Sequence, residues 1–322
     1  MDYSTAFFHY GTIALIVAVN AIGSGIGGGL ISNAALTALN QQPNAHESIG
    51  QASFLGIALI ETASIISLTM AFLLLSRNTF LENSYYAHLS ELGILCALGI
   101  TGLVTGIASS IPARAACYSS ARQPFSSQKI RVLMLLTQSL MQTPVILGFI
   151  IALLINYQVP YATTLADALR LIASGLCIGI ASIGPSYGLA LFSGQVCTGI
   201  GINRNAYHSL LSSTPINAAI IESPLIFSLL VSFLILRTST KTTDPLLLGL
   251  TCLAAALCMG FSTIGTGISS GRIAASSSKQ IALTPHHASL LSKTGLFAQA
   301  LIETSAIYGL VIAIFLITTH LT

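Results

Sequence analysis

The sequence predicts an all-α membrane protein of eight transmembrane helices, paired as four tandem hairpins. Three observations carry this. Only 7% of the 322 residues are charged while 53% are hydrophobic, and the mean hydropathy is +0.84. Eight apolar stretches follow one another, each long enough to cross about 30 Å of hydrocarbon. In every second stretch a single polar residue recurs near the midpoint, at intervals of 81, 80 and 81 residues. A soluble domain carries about 25% charged residues, so this composition excludes a soluble enzyme, a disordered chain and a nucleic-acid binder. The net charge of +3 is too small to attract a polyanion. An outer-membrane barrel would alternate along strands of about ten residues, which these apolar runs do not.

The segments run 8–39, 48–76, 88–118, 130–156, 166–199, 208–237, 245–277 and 287–318. Odd segments are rich in Gly, Ala and Ser, and even ones in Leu, Ile and Phe. The recurring residue stands in the even segments and is followed by a hydroxyl each time: Glu61-Thr62, Gln142-Thr143, Glu222-Ser223 and Glu303-Thr304. The surrounding sequences agree, as ALIETASIISL, SLMQTPVILGF, AIIESPLIFSL and ALIETSAIYGL. Pro43, Pro124 and Pro285 each lie 18 residues before the polar position, while Arg204 holds that offset in the third copy. Four repeats of one hairpin follow, divided as 1–82, 83–160, 161–242 and 243–322. Pro112, Pro185 and Pro224 fall inside segments and are expected to bend them.

The odd segments carry small residues four apart, which let helices approach backbone to backbone. These are Gly25 and Gly29, Gly102 and Gly106, Gly175 and Gly179, Gly184 and Gly188, and Gly267 and Gly271. They predict a tight layer of odd helices. The six cysteines read as small buried hydrophobes, with no metal site among them. The seven histidines fall near segment ends, where interfacial solvation is expected; His286-His287 is a weak metal pair. Tyr85, Tyr86 and Tyr157 suit an aromatic belt. Met1-Asp2 begins with an acid, so no cleavable signal is expected.

Charge placement suggests an orientation. Arg114, Arg122, Lys129, Arg131, Arg204, Arg272, Lys279 and Lys293 cluster at the connections inside hairpins, against Glu47 alone. Connections between hairpins mix Arg77, Arg170, Arg237 and Lys241 with Glu82, Glu91, Asp167 and Asp244. The positive-inside tendency then puts the within-hairpin loops in the cytoplasm and both termini on the opposite side.

The chemistry belongs to the recurring acids. Ala52–Leu75 has one formal charge, Glu61, and Thr294–Thr318 repeats this with Glu303. A charged carboxylate at mid-bilayer costs at least about 2.5–3.5 kcal/mol, and removal from water favours a carboxyl's neutral form. Such a group is neutral toward lipid and charged only beside a countercharge or water, which is what an ion carrier needs. One isolated Glu could simply tie two helices together. Three at one repeat phase, each with a hydroxyl next to it, argue for a shared task. Thr62, Ser223 and Thr304 could hold the acid or complete an ion shell, as could Gln299 and Tyr308.

On these residues the chain resembles the proteolipid (the c-type rotor protein) of rotary ATP synthases, in its F-type form. The first unit, GSGIGGGLISNAALTALNQQPN followed by GQASFLGIALIETASIISLTMAFLLL, shows the glycine-rich helix and the acid-bearing helix. The loop motif stands complete as Ala121-Arg122-Gln123-Pro124 and in part as Gln41-Gln42-Pro43. Units three and four lack it, and fused hairpins are more typical of V-type ATPases. The resemblance implies a rotor: copies closed into a ring, glycine-rich helices inside and carboxyl-bearing helices outside, with lipid around it. It implies a stator subunit whose essential arginine exchanges ions with each acid. It also implies central-stalk subunits contacting the loops around Gln42, Pro43, Arg122, Gln123 and Pro124. Glu61, Glu222 and Glu303 would bind the ion. ATP chemistry would belong to other subunits, since the chain has no phosphate loop, and no cofactor is implied beyond the transported ion. The membrane would be an energy-coupling one, a bacterial inner membrane.

Gln142 cannot release a proton, although its amide nearly matches a protonated Glu in shape. Unit two is therefore expected to be silent, leaving three carriers per four hairpins. Protons are favoured as the ion, with sodium the alternative: sodium rings of this family usually add a Gln in the first helix, where Gly28 stands here, whereas Thr62, Ser223 and Thr304 lean toward sodium. The rival reading is a self-contained eight-helix secondary transporter. Its inverted repeats are unlike these parallel two-helix units. A purely structural pore would leave the periodic acids unexplained.

Overall fold

The computed structural model describes residues 3–77, 85–238 and 244–319, which are helical throughout apart from turns, with no strand among them. Glu82, Lys241 and His320, named above as charge or histidine positions, lie outside the described residues. Eight spans cross the molecule: Thr5–Gln41, Pro43–Leu75, Tyr85–Arg122, Pro124–Tyr161, Leu165–Ile202, Arg204–Arg237, Pro245–Leu283 and Pro285–Thr318. They hold 33 to 39 residues each, or about 50 to 58 Å of helix. Each therefore projects well beyond the hydrocarbon and carries its loop clear of it.

Twelve α-helices build the spans. The first hairpin is α1 (Tyr3–Gln41) and α2 (His46–Leu75); the second is α3 (Tyr85–Ser90), α4 (Leu92–Ala108) and α5 (Ser110–Arg122), then α6 (Ser127–Leu140) and α7 (Thr143–Gln158). The third is α8 (Leu165–Ala181) and α9 (Ile183–Ile202), then α10 (Tyr207–Arg237); the fourth is α11 (Pro245–Leu283) and α12 (Ala288–Thr318). Every hairpin turns through one short 3-10 element, beginning at Pro43, Pro124, Arg204 and Pro285. A proline fits the first position of such a turn because its missing N–H has no partner to lose. Arg204 holds the same place without it, with Asn203 accepting from the Asn205 N–H in compensation. Between hairpins two and three, Thr164 and Asp167 form a reciprocal capping box that starts α8.

The odd spans stand side by side in a row, α1 on α4 and α5, these on α8 and α9, and these on α11; the even spans form a second layer over them. The row is built on close approach. A Cβ added at Gly188 would strike the Gly267 carbonyl, and one at Gly175 would strike the Gly93 carbonyl. Two expectations need correction here. In the first hairpin Gly25 and Gly29 have open space around them, and the packed pair is Gly23 and Gly27, against Leu103 and Gly106. The run GSGIGGG offers glycines on several faces, and only the neighbouring helix decides which is used. The proline bends are also selective. Helices break just before Pro112 and Pro185, at Ser109 and Ser182, and again at Met141–Gln142 beside Pro144, a proline the sequence does not mark out. Yet α10 runs unbroken through Pro215 and Pro224. The Ile220 carbonyl that Pro224 leaves without its usual donor accepts the Ser223 hydroxyl at 3.0 Å.

The flanks of the row differ from its middle. Within their most apolar windows, the first and last spans bury 28% and 22% of residues, against 72% for Leu165–Ile202. Large apolar side chains such as Phe54, Phe72, Phe297 and Phe315 point outward from the even layer, as a lipid-facing surface requires. The cysteines are free, four buried and two half-buried.

Candidate functional site

The repeat becomes a spatial rule: side chains about 80 positions apart meet across neighbouring hairpins. At mid-span the Thr62 hydroxyl donates to the Gln142 carbonyl Oε1 at 3.0 Å. One hairpin on, Thr143 stands beside the Glu222 carboxyl, its hydroxyl donating to the Leu140 carbonyl at 2.7 Å. One further, the Ser223 hydroxyl donates to Glu303 Oε1. At two junctions the hydroxyl beside one hairpin's polar residue donates to the polar residue of the next, and at the middle one the two stand side by side. The single protons of Thr62 and Ser223 are shared with the carbonyls three positions back on their own helices, Leu59 and Ile220.

Occupancy varies along this series. Gln142 is buried and its Nε2 amide has no partner. Glu222 is half-buried, with Oε1 unpartnered, and Glu303 is also half-buried. Glu61 lies exposed on the first flank, in a shallow groove of about 330 Å³ that it shares with Val17, Ser24 and Leu68. It has no hydrogen-bond partner among the described residues. At the opposite flank Thr304 is exposed, its hydroxyl bonded, among the described residues, only to the Leu301 carbonyl at 2.7 Å. Tyr308 projects outward, 69% exposed.

Gln299 turns away from Glu303. Its Nε2 donates to Asn217 Oδ1 at 2.7 Å and its Oε1 accepts from Ser270. In the second hairpin Gln138 holds the same place, four residues before the recurring position, and donates to the carbonyls of Ser109 and Gly56 at 2.8 and 3.4 Å. Sequence reasoning misses Gln138 and Asn217; the available signal is a second polar residue one turn before the recurring one. Both tie hairpin to hairpin just beside the acid level.

The loop residues are partly committed to neighbours. Gln123 Nε2 donates to the Ile202 carbonyl at 3.4 Å, and Asn203 Nδ2 to the Ala282 carbonyl at 3.0 Å. In the second and third hairpins the side chain before the turn thus clasps the end of the next hairpin's first span. Pro43, Arg122 and Pro124 stand at the turns, with Arg122 exposed and Gln42 half-buried.

Comparison with known proteins follows the same period. The chain matches the ATP synthase c-subunit family four times, over residues 12–74, 92–155, 172–235 and 253–316. It is similar to the ATP synthase c-subunit of Exiguobacterium sibiricum, 40% identical over 63 residues, which is 20% of this chain and 90% of that protein. It is 35% identical over 64 residues to the ATP synthase c-subunit of Bacillus cytotoxicus, 20% of this chain and 89% of the relative. The corresponding protein of Dehalococcoides mccartyi is 32% identical over 71 residues, 22% of this chain and 93% of the relative. Each is a single hairpin in length.

Proposed function

The chain belongs to the ATP synthase c-subunit family, as four fused hairpins, and on that premise we propose that Glu61, Glu222 and Glu303 are its ion carriers. The family's role is that of a membrane rotor proteolipid assembled as a ring of copies. The observation supporting the site assignment is the hydroxyl hand-over at mid-span, in which Thr62, Thr143 and Ser223 face Gln142, Glu222 and Glu303. Glu61 at one flank and Thr304 at the other are the two halves of a fourth such junction. When a second copy docks flank to flank, the Thr304 of one chain reaches the Glu61 of the next, and every hairpin gains the same environment.

Mechanistically, each acid is neutral while it faces lipid and ionises where water or a fixed cation reaches it. A stator arginine would supply that cation, and the loops near Arg122 and Pro124 would meet the central stalk. Three carriers then pass per four hairpins, because Gln142 accepts the Thr62 hydroxyl but holds no transferable proton. Protons are the favoured ion, since the glycine-rich α1 has Gly28 rather than a further oxygen ligand beside α2. With one position in four silent, fewer ions drive each turn. Because a charge moved through 100 mV is worth about 2.3 kcal/mol, such a rotor suits ATP-driven pumping against a steep gradient. The loops are assigned to the cytoplasmic side of a bacterial inner membrane.

The test is labelling of the intact complex with a carbodiimide that attacks protonated intramembrane carboxyls. Modification at Glu61, Glu222 or Glu303 with loss of coupled ATPase activity is expected, and sodium should not protect. Labelling confined to other residues, with coupling intact, removes the assignment. Protection by sodium changes the ion.

A further inference from the structure

Away from the mid-span level, at the end of the molecule opposite the hairpin turns, the structure brings together three ligand-type side chains. His9 of α1, His88 of α3 and Glu91, the residue between α3 and α4, each offer a donor atom, and these atoms lie within 4.8 Å of one another. His9 Nδ1 is 2.9 and 3.0 Å from the two Glu91 oxygens, and His88 Nδ1 is 3.6 Å from Glu91 Oε1. The imidazole rings stand 5.5 Å apart at 66°. This corrects two expectations: the histidines here are not solvated at an interface, being 2% and 0% exposed, and Glu91 is no loop charge but fully buried.

Three features point to a bound cation. First, a tetrahedral zinc with bonds of about 2.0–2.1 Å separates its ligands by roughly 3.3 Å; the two histidine nitrogens lie 2.9 and 3.6 Å from Glu91, and all three donors lie within 4.8 Å of one another. Second, neutral imidazoles with one carboxylate are a donor set suited to a first-row dication. Third, the repeat does not dictate His88 and Glu91. Shifted by one and two repeats, the place of His88 is taken by Ala168 and Gly249, and that of Glu91 by Leu171 and Cys252, whereas the places matching His9 hold the polar Ser90, Arg170 and Thr251. A histidine and a glutamate are thus buried at the first inter-hairpin junction at places where the later hairpins use small or apolar side chains. Burying such groups is costly unless they are paired or hold a metal.

We propose that His9, His88 and Glu91 form a binding site for one zinc-class dication per chain, clamping the first hairpin to the second. Arg77 is the outer partner. Its Nη1 lies 3.7 Å from Glu91 Oε1 and donates to Asn156 Oδ1 at 3.0 Å, so it can hold the carboxylate in position from behind, as outer residues do at metal centres. Solvent would supply the remaining ligand.

The experiment uses the assembled ring of full-length chain, purified in detergent, stripped with a chelator and titrated with Co(II), then with Zn(II). One Co(II) per chain is expected, with the intense visible d–d bands of a four-coordinate site that Zn(II) abolishes. His88→Ala and His9→Ala should each weaken binding by about 100-fold or more, while the double variant His286→Ala, His287→Ala retains it. Binding that vanishes in the double variant but survives His88→Ala would overturn the site. So would weak, octahedral-type bands or no retained metal in the unmodified ring, an outcome that needs no variant to assemble. The readout is independent of the mid-span carriers, so either reading can fail alone.

Discussion

Gln142 occupies a place that an acid fills in the other three hairpins, and it accepts the Thr62 hydroxyl with its carbonyl while its buried amide nitrogen goes unpartnered. An acid there would face the same hydroxyl and carry an exchangeable proton. Gln142→Glu is therefore expected to raise the ions moved per chain from three to four in each turn, a one-third increase measurable as the ion/ATP ratio of the reconstituted complex. An unchanged ratio would show that the second hairpin is silent for another reason. Ser223→Ala tests the hand-over itself. It deletes the donor to Glu303, and a hydrogen bond of this kind contributes about 1 kcal/mol. A lower dissociation temperature of the purified ring is the expected result, with Thr318→Ala, at an exposed helix end, as the neutral comparison.

Among the helices, what the chain reveals in advance depends on whether the information is local or spatial. The eight spans, the four turns at Pro43, Pro124, Arg204 and Pro285, and the acid register are periodic in one dimension and so are legible. Which glycines pack is not, because a run such as GSGIGGG presents small residues to several directions. Only the facing helix selects Gly23 and Gly27 over Gly25 and Gly29. Likewise Pro224 reads as a bend in the sequence, and only the folded chain shows the Ser223 hydroxyl serving the freed Ile220 carbonyl. His9 and Glu91 sit 82 residues apart and carry no local pattern, although that spacing is about one repeat and so implies adjacency. The glycine contrast is testable. Gly188→Ala places a Cβ against the Gly267 backbone and should destabilise by about 1–3 kcal/mol, seen as reduced thermal stability of the detergent-solubilised protein. Gly25→Ala meets nothing within the chain and should leave the stability of the unassembled chain unchanged.

For the whole molecule, the open flanks matter most. The first and last spans are the least buried, and Glu61 is exposed at one side and Thr304 at the other. Thr304→Ala is expected to leave each chain folded but to weaken the contact between chains, read as smaller assemblies by native mass measurement; full-sized rings of unchanged stability would show that this hydroxyl is not used.

Covalent fusion also changes what a mutation can do. Where every hairpin is a separate copy of one gene product, losing an acid removes it from all positions at once and stops the machine. Here a single codon controls one hairpin in four, so Gln142 could arise while, on the proposed assignment, three carriers remained. The gear ratio of such a motor can drift one tooth at a time, with the wheel's diameter untouched.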